Sequence, residues 1–130
     1  MIEHSPYETP ATCPRIEFRS ATSFSADICQ SDAHHCAVGG YYRDGSGTII
    51  LRADPGDLDD VRVRALLIHE LTHYFQDQSG HWQEKSCRNW MSREREAYDV
   101  QRQFLVDSNG SPFGIGVHPL DEALCAAVIN

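Results

Sequence analysis

The stretch from Asp57 to Gly80, DLDDVRVRALLIHELTHYFQDQSG, decides how this chain is read. Val61, Ala65, Ile68, Thr72 and Phe75 recur at helical spacing and give one core-facing stripe. Asp57 can cap the N-terminus, and Asp59 and Asp60 fall in a first turn where the helix dipole favours negative charge. Gly80 is a natural stop, because glycine takes the left-handed conformation that ends many helices. The spacing predicts a helix from Asp57 to Ser79.

Inside that helix lies His69-Glu70-Leu71-Thr72-His73, an HExxH motif. A separation of four residues puts both imidazoles on one face, one turn apart. Two ring nitrogens placed so can each reach one Zn²⁺ at about 2.0–2.1 Å. Glu70 follows the first histidine and stands beside the metal, where it can take a proton from metal-bound water. The competing reading is a pair of surface histidines on an amphipathic helix. The apolar neighbours Leu67, Ile68 and Leu71 weigh against it, since burying two imidazoles and a carboxylate among them is costly without a partner.

The site needs a third ligand. A metzincin would read HExxHxxGxxH, but Gln76 stands where the glycine belongs and Ser79 where the histidine belongs, so that class is excluded. His81 falls just past the helix end and is a poor ligand. Better candidates lie in Ser92-Arg93-Glu94-Arg95-Glu96-Ala97-Tyr98-Asp99, on a second helix expected over about Glu94 to Val106. There Ala97, Val100, Phe104 and Leu105 make a core face, and Asn109-Gly110 ends the element. The structural alternative for Glu94 and Glu96 is a solvated charged face shared with Arg93 and Arg95.

In these residues, about 38–106, the chain resembles the gluzincin zinc metallopeptidases, whose thermolysin-like members carry the same HELTH string. The resemblance implies Zn²⁺ held by His69, His73 and a glutamate on the downstream helix. It favours Glu94, which has the small Ala97 at +3, with Glu96 as the alternative third ligand. The chain departs from the family at Tyr98, where gluzincins often carry an Asp that orients the first histidine. Tyr98, Asp99 or Asp77 are the candidates to take over that task. The resemblance also implies peptide-bond hydrolysis with Glu70 as general base. It places a peptide or protein substrate as an added strand on a sheet edge at Val38–Arg43 or Thr48–Arg52.

The remainder is consistent with a small scaffold. Arg15 to Ser20 alternates apolar and polar residues, as a half-buried strand does. Val38–Arg43 and Thr48–Arg52 flank Asp44-Gly45-Ser46-Gly47, a hairpin signal. Residues 23–36 read as a short helix or a loop, and Pro119 opens a short C-terminal helix through Ala127. Residues 1–12 read as an arm and 13–130 as a single domain, a size that suits one core. The expected class is α+β: a minimal zincin-like fold whose small, mostly antiparallel sheet packs on the HExxH helix.

A net charge of −8 disfavours binding to nucleic acid or to anionic membranes. No apolar run approaches the ~20 residues of a membrane span. Cys13, Cys29, Cys36, Cys87 and Cys125 suit an oxidising compartment, with two bridges and one leftover thiol. Cys29–Cys36 and Cys87–Cys125 are candidate pairs, although spacing does not fix them. The expectation is a secreted or periplasmic protein whose signal peptide is absent from this sequence, the cytoplasm being the alternative.

Other constellations carry less. Cys29, His34, His35 and Cys36 match no zinc-finger spacing. The upstream-cysteine signature of peptide deformylases is absent around Cys36, and Asp54–Asp60 lacks the spacing of an EF-hand loop. His118, Tyr41, Tyr42 and Tyr98 are candidates to stabilise an oxyanion. Cys13 could serve as a fourth ligand in a latent form. A second functional reading is a non-catalytic, zinc-stabilised binding module, because so short a chain leaves little surface for substrate pockets. Oligomeric state is left open.

Overall fold

A computed structural model describes residues 12–24, 26, 39–80 and 86–108. In chain order these form β1 (Arg15–Arg19), the single-turn α1 (Ala21–Phe24), β2 (Gly40–Tyr42), β3 (Thr48–Arg52), a 3₁₀ turn (Pro55–Asp59), α2 (Val61–Ser79) and α3 (Cys87–Asp107). The class is mixed α+β. The expected C-terminal helix, the arm up to residue 11, His81, His118 and the cysteines other than Cys13 and Cys87 lie outside the described residues.

β3 is the central strand of a three-stranded sheet ordered β1-β3-β2. β2 pairs with β3 antiparallel, Tyr41 opposite Ile50, as the hairpin reading required. β1 pairs with β3 in parallel, Ile16 opposite Ile49, so the sheet is mixed rather than mostly antiparallel. Parallel neighbours need a long connection, and the chain between β1 and β3 is long enough to provide one. Gly45 sits at φ 83° in the hairpin turn, a region open to glycine, while Ser46 N–H closes the turn onto the Arg43 carbonyl at 3.0 Å.

The cap of α2 falls three residues later than expected, at Asp60 instead of Asp57. Asp57 serves the preceding 3₁₀ turn, accepting the Asp54 N–H at 2.9 Å, and Asp60 becomes the cap, accepting the Arg62 N–H at 2.8 Å. Consecutive aspartates each offer a cap, and Pro55 favours a tight turn before the helix begins. Gly80 ends α2 in the left-handed conformation. α3 begins seven residues before the expected Glu94. Its first two turns carry Cys87, Trp90 and Met91 at helical spacing, all half-buried, and the cap is Ser86, accepting the Asn89 N–H at 3.2 Å.

The apolar core is built from Tyr42, Ile49 and Leu51 of the hairpin against Leu71, Tyr74 and Phe75 of α2. Tyr74 also donates its hydroxyl to the Thr12 carbonyl at 2.7 Å, which ties the chain before β1 to the core. α2 is covered by the sheet on one side and by α3 on another. Burial is therefore continuous from Ile68 to Gln76 instead of following one stripe, and Val61 is only half-buried.

Candidate metal centre

His69 and His73 sit one turn apart on α2 and both are buried. Their Nε2 atoms approach to 3.2 Å. α3 brings the carboxylate of Glu94 to the same point, with Oε1 2.6 Å from Nε2 of His73 and Oε2 3.6 Å from Nε2 of His69. These three ligand atoms lie within 4.8 Å of one another, the only such group among the described residues. Glu96 lies elsewhere on the helix and accepts the Gln76 side-chain N–H at 2.9 Å. Cys13 is exposed with a free thiol and is not part of the group.

The donor set fits a zinc ion. Tetrahedral ligands about 2.05 Å from a metal stand roughly 3.3 Å apart. Two of the three separations, 3.2 and 3.6 Å, are close to that. The third, 2.6 Å, is a hydrogen bond between His73 and Glu94. Two imidazoles and one carboxylate make a mixed N/O set of the kind zinc accepts.

Each histidine is oriented from behind. Nδ1 of His69 lies 2.9 Å from Oε1 of Gln101, and Nδ1 of His73 lies 2.8 Å from Oε1 of Gln76. A carbonyl at Nδ1 selects the tautomer that carries its proton there and leaves Nε2 free to ligate. The three candidates for this task do other things. Asp77 accepts from the Tyr42 hydroxyl at 2.5 Å and from Gly45 N–H at 2.9 Å. Asp99 is exposed and pairs with Arg102 at 3.2 Å. Tyr98 lays its ring against His69, with centroids 4.5 Å apart. Sequence reading missed both glutamines. The signal was spacing: Gln76 is three residues from His73, and Gln101 is seven from Glu94, so each shares its ligand's helix face.

Glu70 is 1% exposed and faces the hairpin. Its Cγ would stand 3.0 Å from a Cβ added at Gly40, so the first residue of β2 is pressed against it. Of the oxyanion candidates, Tyr42 is committed to Asp77, and burial together with that carboxylate pushes its hydroxyl pKa well up. Burial by itself would lower the pKa of His73. The Glu94 carboxylate outweighs it through charge and hydrogen bond, aided by Glu70, and the His73 pKa rises to about 9. The metal-free site therefore holds a proton at neutral pH.

The chain belongs to a family described as a domain of unknown function (DUF6647), whose model matches residues 1–112. Comparison with curated proteins and with solved structures gave no significant match.

Proposed function

We propose that this protein is a small zinc-dependent metallopeptidase of the gluzincin kind, on a zincin-like scaffold. The single observation that carries the reading is the convergence of His69, His73 and Glu94 with both Nδ1 atoms held by glutamine carbonyls. Burying the trio together with Glu70, Gln76 and Gln101 is costly for a structural role alone. A zinc ion held there would polarise a carbonyl and lower the pKa of water toward ~7.

The chain's own residues supply the rest. Glu70, next to the first histidine, accepts the proton of the attacking water and returns it to the leaving amine. β2 is an edge strand of the described sheet and begins against Glu70, so its backbone can receive an extended peptide beside the base. Cys87 is disulfide-bonded, to a partner outside the described residues, which supports an oxidising compartment, secreted or periplasmic. Among the described residues no helix is long and apolar enough to cross a membrane.

One observation favours a second reading, a zinc-stabilised binding module. Glu70 and the three ligands are all at most 5% exposed, whereas a working base must meet water and substrate. Hydrolysis of a peptide library by zinc-loaded protein separates the two. The peptidase reading expects activity that Glu70→Gln abolishes while zinc stays bound. Zinc binding with no hydrolysis by the unmodified chain supports the module instead.

A further inference from the structure

Gln76 is buried completely and every hydrogen-bonding position of its amide is used. Its Oε1 accepts from Nε of Arg93 at 3.0 Å and faces Nδ1 of His73 at 2.8 Å. Its Nε2 donates to the Arg93 carbonyl at 3.1 Å and to Oε1 of Glu96 at 2.9 Å. Both partners of Nε2 are acceptors and Arg93 Nε–H is a donor, so the amide fits in one orientation only. Gln101 differs: among the described residues its buried Nε2 has no hydrogen-bond partner.

Arg93 is fixed in turn from the hairpin. Its two terminal nitrogens reach the two carboxylate oxygens of Asp44 at 2.7 Å each, a planar fork that Lys could not reproduce. Asp44 lies in the β2–β3 turn, beside Gly45, whose N–H is held by Asp77 of α2. The hairpin that meets Glu70 at Gly40 thus meets His73 through Asp44, Arg93 and Gln76.

We propose that Arg93 is a positioning residue of the metal site. Clamped by Asp44, it locks the Gln76 amide so that only a His73 protonated at Nδ1 fits, which leaves Nε2 for the metal. The inference rests on reading the trio as a metal centre and adds to it that the hairpin turn sets how well the metal is held.

The test is a double-mutant cycle on zinc affinity, measured on the full chain by competition with a chromophoric chelator. Arg93→Met should weaken zinc binding roughly tenfold, and Gln76→Leu by about 10–100-fold. The double variant should bind no more weakly than Gln76→Leu alone, because Arg93 acts through Gln76. Additive losses, or an Arg93→Met chain that binds zinc like the unmodified one, overturn the proposal. Asp44→Asn, a change at the surface, covers the case in which those variants do not fold. It should still fold, weaken zinc binding and shift the visible spectrum of the cobalt-substituted protein. Unaltered affinity and spectrum in Asp44→Asn overturn it. A chain that takes up no zinc at all fails earlier and removes the metal reading itself, a distinguishable result.

Discussion

Oε1 of Glu94 stands 2.6 Å from Nε2 of His73, on the side of the ring opposite the 2.8 Å contact to Gln76. Without metal this is a buried, charge-assisted hydrogen bond that keeps His73 protonated up to a pKa of about 9. A metal must displace that proton.

Zinc uptake should therefore release a proton and depend steeply on pH. Below about 9, His73 is protonated in the metal-free protein, so apparent affinity should rise about tenfold per pH unit and level off above that value. Titration calorimetry in buffers of different ionisation enthalpy counts the protons. The metal-free protein should show the opposite trend in stability. The folded pKa of His73 lies above its unfolded value of 6.5, so the folded state binds the extra proton. That contribution, roughly 3 kcal/mol, is complete below about pH 6.5 and is lost as pH rises through about 9. Urea unfolding in chelator across this window checks it.

Glu94→Gln and Glu96→Gln should separate cleanly. Glu94 is 2% exposed and touches both histidines, so replacing its carboxylate should remove most zinc affinity. Glu96 accepts from the Gln76 amide and is not part of the group His69, His73 and Glu94, so its replacement should leave zinc bound with a modest loss at most. Metal content after dialysis against apo buffer distinguishes them.

Gln101→Leu should weaken zinc binding by about 10–100-fold, because nothing then selects the His69 tautomer. Gln101→Glu should retain or raise affinity, since a carboxylate accepts the same Nδ1–H more strongly. A chelator competition assay reads both changes.

Gly40→Ala should impair chemistry without removing the metal. The new methyl group would stand 3.0 Å from Cγ of Glu70, so the base must move by a few tenths of an ångström. The expected result is kcat reduced several-fold or more with zinc stoichiometry unchanged, since displacing a reacting group by ~1 Å can cost about 10²-fold. Steady-state kinetics with parallel metal analysis checks this.

Some of the molecule was legible because its signals are local. The hairpin followed from turn residues between two β-prone runs, and the end of α2 from Gly80. The early start of α3 was legible in principle from Ser86 and from Cys87, Trp90 and Met91 at helical spacing, but these three are only half-buried and make a weaker stripe than Ala97, Val100 and Leu105. The parallel pairing of β1 with β3 is set by distant residues and leaves no local trace. At the site, the histidine spacing is written into the HExxH string, whereas Glu94 against Glu96 is a question of helical phase between two packed helices. Gln76 and Gln101 look like ordinary surface glutamines until α2 and α3 meet, and the contact of Gly40 with Glu70 exists only in three dimensions.

The most direct measurement is zinc K-edge X-ray absorption on the full chain after zinc loading and exhaustive dialysis. One tightly held zinc per chain is expected, with two imidazole nitrogens and carboxylate or water oxygens at about 2.0–2.1 Å, and loss of the imidazole signal in His69→Ala. Failure to retain zinc, or a sulfur shell near ~2.3 Å in place of the two imidazoles, would contradict the metal centre at His69, His73 and Glu94.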